Sequence, residues 1–408
     1  MPRTDAGSAA RPERPLRRLL GATLALVPIS LLSIMIDTWS ALGTKPAGER
    51  LARLERSPQY HDGRFVNVLP TVHSGLSLST VRDLIRGGSD YRRPAAPVPV
   101  VPRTAADFAG PAPALRVTWL GHSTLLVEIE GARVLVDPVW GDRASPSSFI
   151  GTTRFYAPPL ALADLPALDA VVISHDHYDH LDEPTIKALA ARVPRFIVPL
   201  GVGAHLEYWG VAPERITELD WWERTEVRGV TLVSTPARHF SGRFLNDRDA
   251  TLWSGWAFLG AERRVYYSGD TAMTPQFEEI GARLGPFDLT FIEAGAYNAN
   301  WADVHLGPEQ AVAAHRMVRG RLLVPVHWAL FDLALHGWTE PAERVRAAAG
   351  VAAGAAGVSV AFPRPGESIT PGGPLPTEPW WPSLPWQTAE EAPVVSSGMP
   401  APASGVVR

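Results

Sequence analysis

Between Ser174 and Asp182 the chain reads Ser-His-Asp-His-Tyr-Asp-His-Leu-Asp, directly after an apolar run at residues 170–173. That run has the length and composition of a buried strand. Ionisable side chains crowded at the mouth of a buried strand desolvate poorly unless they share a cation. In an extended turn His175 and His177 point the same way, while Asp179 and His180 face a second point nearby. One short loop can then supply both halves of a two-metal centre. A solvated polar loop is the competing account.

Further ligands stand where other strands end. His239 follows a strand closing on Ser234-Thr235-Pro236. Asp270 follows Tyr266-Tyr267-Ser268-Gly269, where glycine permits a sharp turn. His327 follows the apolar run at residues 322–326. Each position lets a loop aim a side chain into a shared cleft. The seven candidates exceed the four ligands of one tetrahedral zinc, so two ions are expected. The 408 residues include no cysteine, which excludes disulfides and thiolate ligands and leaves His, Asp and Glu to hold any metal. Net charge is −4 with lysines and arginines scattered, and a nucleic-acid partner is not expected.

Strands and helices alternate around these positions. Residues 125–130 and 133–136 flank Gly131 as a hairpin. Further strands are expected at 196–198, 231–234, 265–267, 289–292 and 322–326. Helical patterns cover 184–191, 277–284, 309–318 and 341–348. Strands paired locally and then interleaved with helices imply sheets covered by helices, an α/β arrangement. The folded domain is expected at 116–370. A 44–115 extension and Pro-rich linker precedes it. A Pro-rich tail at 371–408, with Trp380 and Trp381 isolated among prolines, is expected to be disordered.

At the N-terminus, residues 1–43, Arg11, Arg14, Arg17 and Arg18 precede an uncharged run at 19–36 that Asp37 closes. About 18 such residues are the minimum for a membrane-spanning helix. A retained anchor and a cleaved signal both fit this segment. Basic residues ahead of the run place the catalytic domain outside the cytoplasm, on a membrane; a cytoplasmic membrane-surface location is the alternative.

The pattern His175-x-His177-x-Asp179-His180, with His239, Asp270 and His327, resembles the metal site of the metallo-β-lactamase superfamily. Thr118-Trp119-Leu120-Gly121-His122, Arg143-Ala144-Ser145-Pro146-Ser147, Glu218-Leu219-Asp220-Trp221-Trp222-Glu223, Gly269-Asp270-Thr271, Gly285-Pro286-Phe287-Asp288-Leu289 and His327-Trp328 are similar, within it, to the N-acylphosphatidylethanolamine phospholipase D family. The resemblance implies an αββα sandwich and two zinc ions. His175, His177 and His239 would hold the first ion, Asp179, His180 and His327 the second, and Asp270 would bridge them. It also implies hydrolysis of a phospholipid or other phosphodiester at a membrane surface, through water activated between the ions, and leaves a homodimer open. A lactonase of the same fold and a non-catalytic, metal-supported binding protein are the alternatives. The chain departs from the family in its apolar N-terminus, its Pro-rich tail and its polar Asn246-Asp247-Arg248-Asp249 loop.

His122 is a candidate support for a metal ligand, with a core hydrogen bond as its plainer role. His305 resembles a family histidine that contacts the reacting phosphate, and imidazole suits proton donation to a leaving alcohol. Tyr297, Trp301, Trp328 and Phe331 are candidates to line an acyl-chain cleft, though aromatics more often simply pack. His205, His315 and His336 are expected on helical or loop surfaces, and His61 and His73 carry no signal.

Overall fold

A computed structural model describes residues 33–35, 37–71, 81–82, 87–350 and 357–399. Two sheets form the body. In the first, strands β1 (Leu115–Gly121), β2 (Thr124–Ile129), β3 (Ala132–Val136), β4 (Ala170–Val172), β5 (Phe196–Pro199) and β6 (Ile216–Leu219) join β13 (Ser368–Ile369) in the order β6-β5-β4-β3-β2-β1-β13. The second holds β7 (Arg224–Val227), β8 (Val230–Thr235), β9 (Gly255–Leu259), β10 (Arg264–Tyr267), β11 (Phe287–Glu293) and β12 (Gly320–Val326) in chain order. The hairpins are antiparallel, and β3-β4-β5-β6 and β10-β11-β12 are parallel. This is the metallo-β-lactamase sandwich.

The strand period of two is visible in the packing. Leu125, Val127, Val134, Val136, Val172 and Ile197 face the core shared with the second sheet. Their neighbours Leu126, Leu135, Val171, Phe196 and Val198 face the other way, onto Ile186, Leu189, Leu206 and Trp209. The expected strands and helices all form. Helix α1 (Glu183–Leu189) starts directly after the His-rich loop: the Asp182 carboxylate accepts the Thr185 amide, Pro184 occupies the first turn, and Ile186 and Leu189 are buried at helical spacing. The cap thus fixes where the ligand loop ends. Parallel pairing in the second sheet needs crossovers, supplied by α2 (Gln276–Leu284) and α3 (Pro308–Met317). Both enter strands that end at the site.

Segments outside 116–370 are packed more tightly than composition suggested. Leu54 and Phe65 are buried against Trp221 and Trp253, and Val98 lies in the main core. The boundary near residue 43 is not a free joint either, because the Trp209 indole donates to the Ser40 carbonyl and the Thr44 amide donates to His205 Nδ1. At the other end the expected disorder does not extend over 371–399. Trp380 stacks on Trp328 with ring centroids 5.4 Å apart, and Trp381 packs edge-on against Phe362. The buried Arg344 forks onto Glu309 and also donates to the Ala392 carbonyl. A few large side chains and polar pins dock a proline-rich strap that could not fold alone. Residues 400–408 lie outside the described residues. So does nearly all of the 19–36 run; among the described residues no helix is long and apolar enough to cross a membrane.

His205 and His315 are buried rather than on surfaces. Burial, aided by Arg316, holds His315 down to about 4. Its imidazole is then neutral in the folded chain, while the unfolded chain takes up the proton below about 6.5. Between those values the unfolded state binds more protons, so stability falls as pH falls, by at most roughly 3 kcal/mol. His315→Gln is expected to flatten that acid limb in denaturant titrations across the window. An unchanged limb removes His315 as its cause.

Candidate metal centre

All seven expected ligands converge where strands of both sheets end. His175 Nε2 lies 2.9 Å from His177 Nδ1, which is 3.2 Å from His239 Nε2. His327 Nε2 is 3.2 Å from Asp179 Oδ2 and 3.0 Å from Asp270 Oδ2. His180 Nε2 is 3.4 Å and 3.2 Å from the same two oxygens. Asp270 Oδ2 also stands 3.8 Å from both His175 and His239, so one carboxylate reaches both groups. Three sets have ligand atoms mutually within 4.8 Å: His175, His177, His239 and Asp270; His122, Asp179, His180 and His327; and, sharing Asp270 and His327 with these, Asp270, Glu293, His305 and His327.

The outer nitrogens of three rings are already engaged, which fixes those rings. His175 Nδ1 meets the Ser174 hydroxyl at 2.9 Å, His180 Nδ1 meets Asp137 at 2.8 Å, and His239 Nδ1 donates to the Val304 carbonyl at 2.7 Å. Asp137 in turn accepts from the Ser174 amide at 2.7 Å and the Tyr267 hydroxyl at 2.6 Å. Strain collects here: His122, Asp137 and His327 have φ of 50°, 40° and 67°, in the left-handed region that side chains disfavour. A backbone bond from the His327 amide to the His122 carbonyl, 3.0 Å, helps hold two of them.

Burial disfavours charge on every imidazole and dominates at His175, His177 and His239, which are held below the ordinary range. It also opposes charge at His180 and His327, but Asp270 and Asp179 outweigh it and raise both, His327 to about 10. The carboxyls of Asp179 and Asp270 are pushed up by burial and pulled further down by those imidazoles, ending well below the usual carboxylate range. His175, His177 and His239 are thus neutral, the form that binds a metal, while the two buried carboxylates that draw protons onto His180 and His327 mark a place where positive charge is favoured. His180 Nε2 and Asp270 Oδ1 are buried without a hydrogen-bond partner. The donor set, nitrogen and carboxylate oxygen without sulfur, suits a borderline dication.

Other expected residues fall at graded distances from this centre. His122 Nε2 lies 2.9 Å from Asp179 Oδ2, as a supporting role requires, and close enough to count among potential donors. His305 is half-buried with Nδ1 3.9 Å from Asp270. Tyr297 lines a cavity of ≈ 720 Å³, together with Tyr91 and Trp386. His336 lines it too, and also a smaller pocket that opens on His122 and His327. Tyr297 itself is buried, donating to Glu340 at 2.7 Å and stacking on His336. Trp328 is largely a core residue stacked between Trp119 and Trp380, with only an edge in the smaller pocket. Phe331 lines that pocket edge-on to His122. Trp301 is half-buried, its indole donating to the Ala296 carbonyl.

Two site residues escaped the sequence reading. Asp137 follows β3 and Glu293 ends β11, so both obey the strand-end rule that found the ligands. Glu293 is fully buried; Oε2 meets His305 Nδ1 at 2.8 Å, while Oε1 accepts the amides of Thr271 at 2.6 Å and Leu306 at 3.1 Å.

Residues 132–328 match a family model described as a Beta-lactamase superfamily domain. The N-acyl-phosphatidylethanolamine-hydrolyzing phospholipase D 1 of Caenorhabditis elegans is 40% identical over 262 residues, 61% of this chain and 73% of that protein. An uncharacterized protein of Mycobacterium tuberculosis is 49% identical over 377 residues, 90% of this chain and 99% of its own length. Among solved structures, the isothiocyanate hydrolase from Delia radicum gut bacteria aligns with a TM-score of 0.50 at 21% identity, covering 62% of this chain and 98% of that one. That likeness concerns the fold.

Proposed function

The chain belongs to the metallo-β-lactamase superfamily, within the N-acylphosphatidylethanolamine-hydrolyzing phospholipase D family, and from that premise we propose a dinuclear zinc phosphodiesterase that cleaves N-acylphosphatidylethanolamine or a related phospholipid. It is a metal-dependent hydrolase; the phospholipid, the zinc and the count of two are the proposal. The observation that carries it is the pair of four-residue clusters joined through Asp270. In this reading His175, His177 and His239 hold one ion, Asp179, His180 and His327 the other, and Asp270 both, with His122 bracing Asp179.

Bound ions would lower the pKa of water and offset the charge that builds on the phosphate oxygens. The chain's own groups do the rest. Asp137, Ser174 and the Val304 carbonyl hold the ligand rings in register. Glu293 fixes His305 so that Nε2 is the nitrogen left to face substrate. When the water oxygen bonds to phosphorus, the bond to the ethanolamine oxygen breaks, and His305 passes that oxygen a proton. The products are phosphatidic acid and an N-acylethanolamine. Tyr297 and the cavity behind His336 offer room for an acyl chain.

A single preparation tests this reading. Metal analysis is expected to give about two equivalents of zinc per chain. The same material should release N-acylethanolamine from N-acylphosphatidylethanolamine, and cleave a soluble phosphodiester more slowly. One equivalent or none, with turnover indifferent to chelators, overturns the dinuclear centre. Opening of a lactone with no phosphodiester cleavage overturns the substrate class and leaves a lactonase.

A further inference from the structure

Six large apolar side chains stand in solvent: Met35, Trp39, Phe149, Ile150, Phe244 and Leu245, between 53% and 92% exposed. They come from three segments distant in sequence, which polar contacts tie together. Asp37 accepts hydrogen bonds from the Ser147 hydroxyl at 2.8 Å and from the Ser148 amide and hydroxyl at 2.8 and 2.7 Å. These hold residues 37–39 against the 147–150 loop. Arg243 donates to the Ala41 carbonyl at 2.8 Å, and the Lys45 ammonium to the Asn246 carbonyl, which holds the same stretch against the 244–245 loop. The polar roots are fixed and the apolar tips point out. Solvent-exposed apolar groups gathered in this way mark a contact surface, whereas scattered ones do not.

The patch also borders the centre. Tyr178, between the ligand candidates His177 and Asp179, donates its hydroxyl to the Arg243 carbonyl at 2.7 Å, and the Phe240 ring lies 4.5 Å from His177. The loop carrying Phe244 and Leu245 is therefore anchored to the ligand loop itself.

We propose that this patch is the face by which the chain docks on a lipid bilayer. The occupant follows from where the sequence leads. The uncharged run at residues 19–36, headed by Arg11, Arg14, Arg17 and Arg18, ends within the patch at Met35. An apolar run of that length is suited to lipid, and its basic head to anionic headgroups. A tryptophan and an exposed lysine at its foot, Trp39 and Lys45, are the residue types that settle at the headgroup boundary. Docked through this face, the domain presents its metal-bearing edge at headgroup depth. The docking stands whichever bond the centre cleaves.

The absence of cysteine makes the test clean. Phe149→Cys, Leu245→Cys and Glu262→Cys variants of the full chain are each labelled with a polarity-sensitive dye. Glu262 is exposed in the turn between β9 and β10, at the end of β10 opposite Asp270. Vesicles of phosphatidylcholine with phosphatidylglycerol should blue-shift the dyes at 149 and 245 and shield them several-fold from aqueous iodide, leaving the dye at 262 unchanged. Dyes at 149 and 245 that stay quenchable on a chain sedimenting with the vesicles would mean that the N-terminal run binds alone and this face does not dock. A shift that appears without vesicles and grows with protein concentration assigns the patch to self-association. Failure of the full chain to bind vesicles overturns the proposal outright.

Discussion

Asp270→Ala is expected to cost more than about 10³-fold in turnover, roughly 4 kcal/mol of transition-state stabilisation, and to purify with less than its full metal content. The reason lies in the position of a single oxygen. Asp270 Oδ2 is 3.0 Å from His327, 3.2 Å from His180 and 3.8 Å from both His175 and His239, so this one oxygen reaches histidines of both ligand sets. Gly269, with φ of 60°, makes the turn that brings it there, and a Cβ at that glycine would sit 2.7 Å from the Ser254 carbonyl oxygen. Removing the carboxylate also leaves buried imidazoles without the charge they face, a cost beyond the lost ligand. Asp270→Asn separates the two effects: it fills the space but lacks the charge, so it should fold as well as the parent while remaining nearly inactive. Elemental analysis and turnover of both variants decide the matter. A near-parental rate in either removes Asp270 from the centre.

The clustering of the candidate ligands was legible in the sequence because a buried strand followed by clustered ionisable groups is chemically expensive without a shared cation. His239, Asp270 and His327 each announced themselves by ending a strand. The same rule would have found Asp137 and Glu293, but a lone carboxylate after an apolar strand is ordinary, and only its distance to a histidine gives it meaning. His180 to Asp137 spans 43 positions and His305 to Glu293 crosses from loop to strand end, contacts that periodicity does not encode. The helices and strands were legible for the usual reason, since their apolar spacing is local. The strap at 371–399 was not. Its composition cannot form a core, and the expectation of disorder was sound for the segment in isolation. What holds it is the body: Trp328, Phe362 and Arg344 supply faces and pins that its own residues lack. Trp328 was misleading in the opposite sense, a tryptophan beside a ligand that spends most of its surface on packing.

His305→Ala is expected to keep both metals and the fold but lose roughly 10²-fold or more in rate on a phospholipid, the scale of general acid catalysis. An alkoxide is a poor leaving group unless it is protonated, and the metal ligands are committed elsewhere. His305 is not among the seven expected ligands; its side chain is 14% exposed, with Nδ1 held 2.8 Å from the buried Glu293 carboxylate. That carboxylate is itself fixed by the Thr271 and Leu306 amides, next in sequence to Asp270 and His305. The pair therefore ties the orientation of a proton donor to the residue that joins the two clusters. Burial pushes the Glu293 carboxyl up, and His305 is the partner that most opposes the shift. Glu293→Gln keeps an acceptor for Nδ1–H and the same volume, so it should retain more activity than His305→Ala. The leaving group separates the possible roles. For a nitrophenol ester, whose anion leaves unaided, the loss in His305→Ala should shrink, because protonation no longer limits the rate. An equal loss for both leaving groups makes His305 a phosphate-binding group, and loss of metal makes it a ligand, as its proximity to Asp270, Glu293 and His327 would then require.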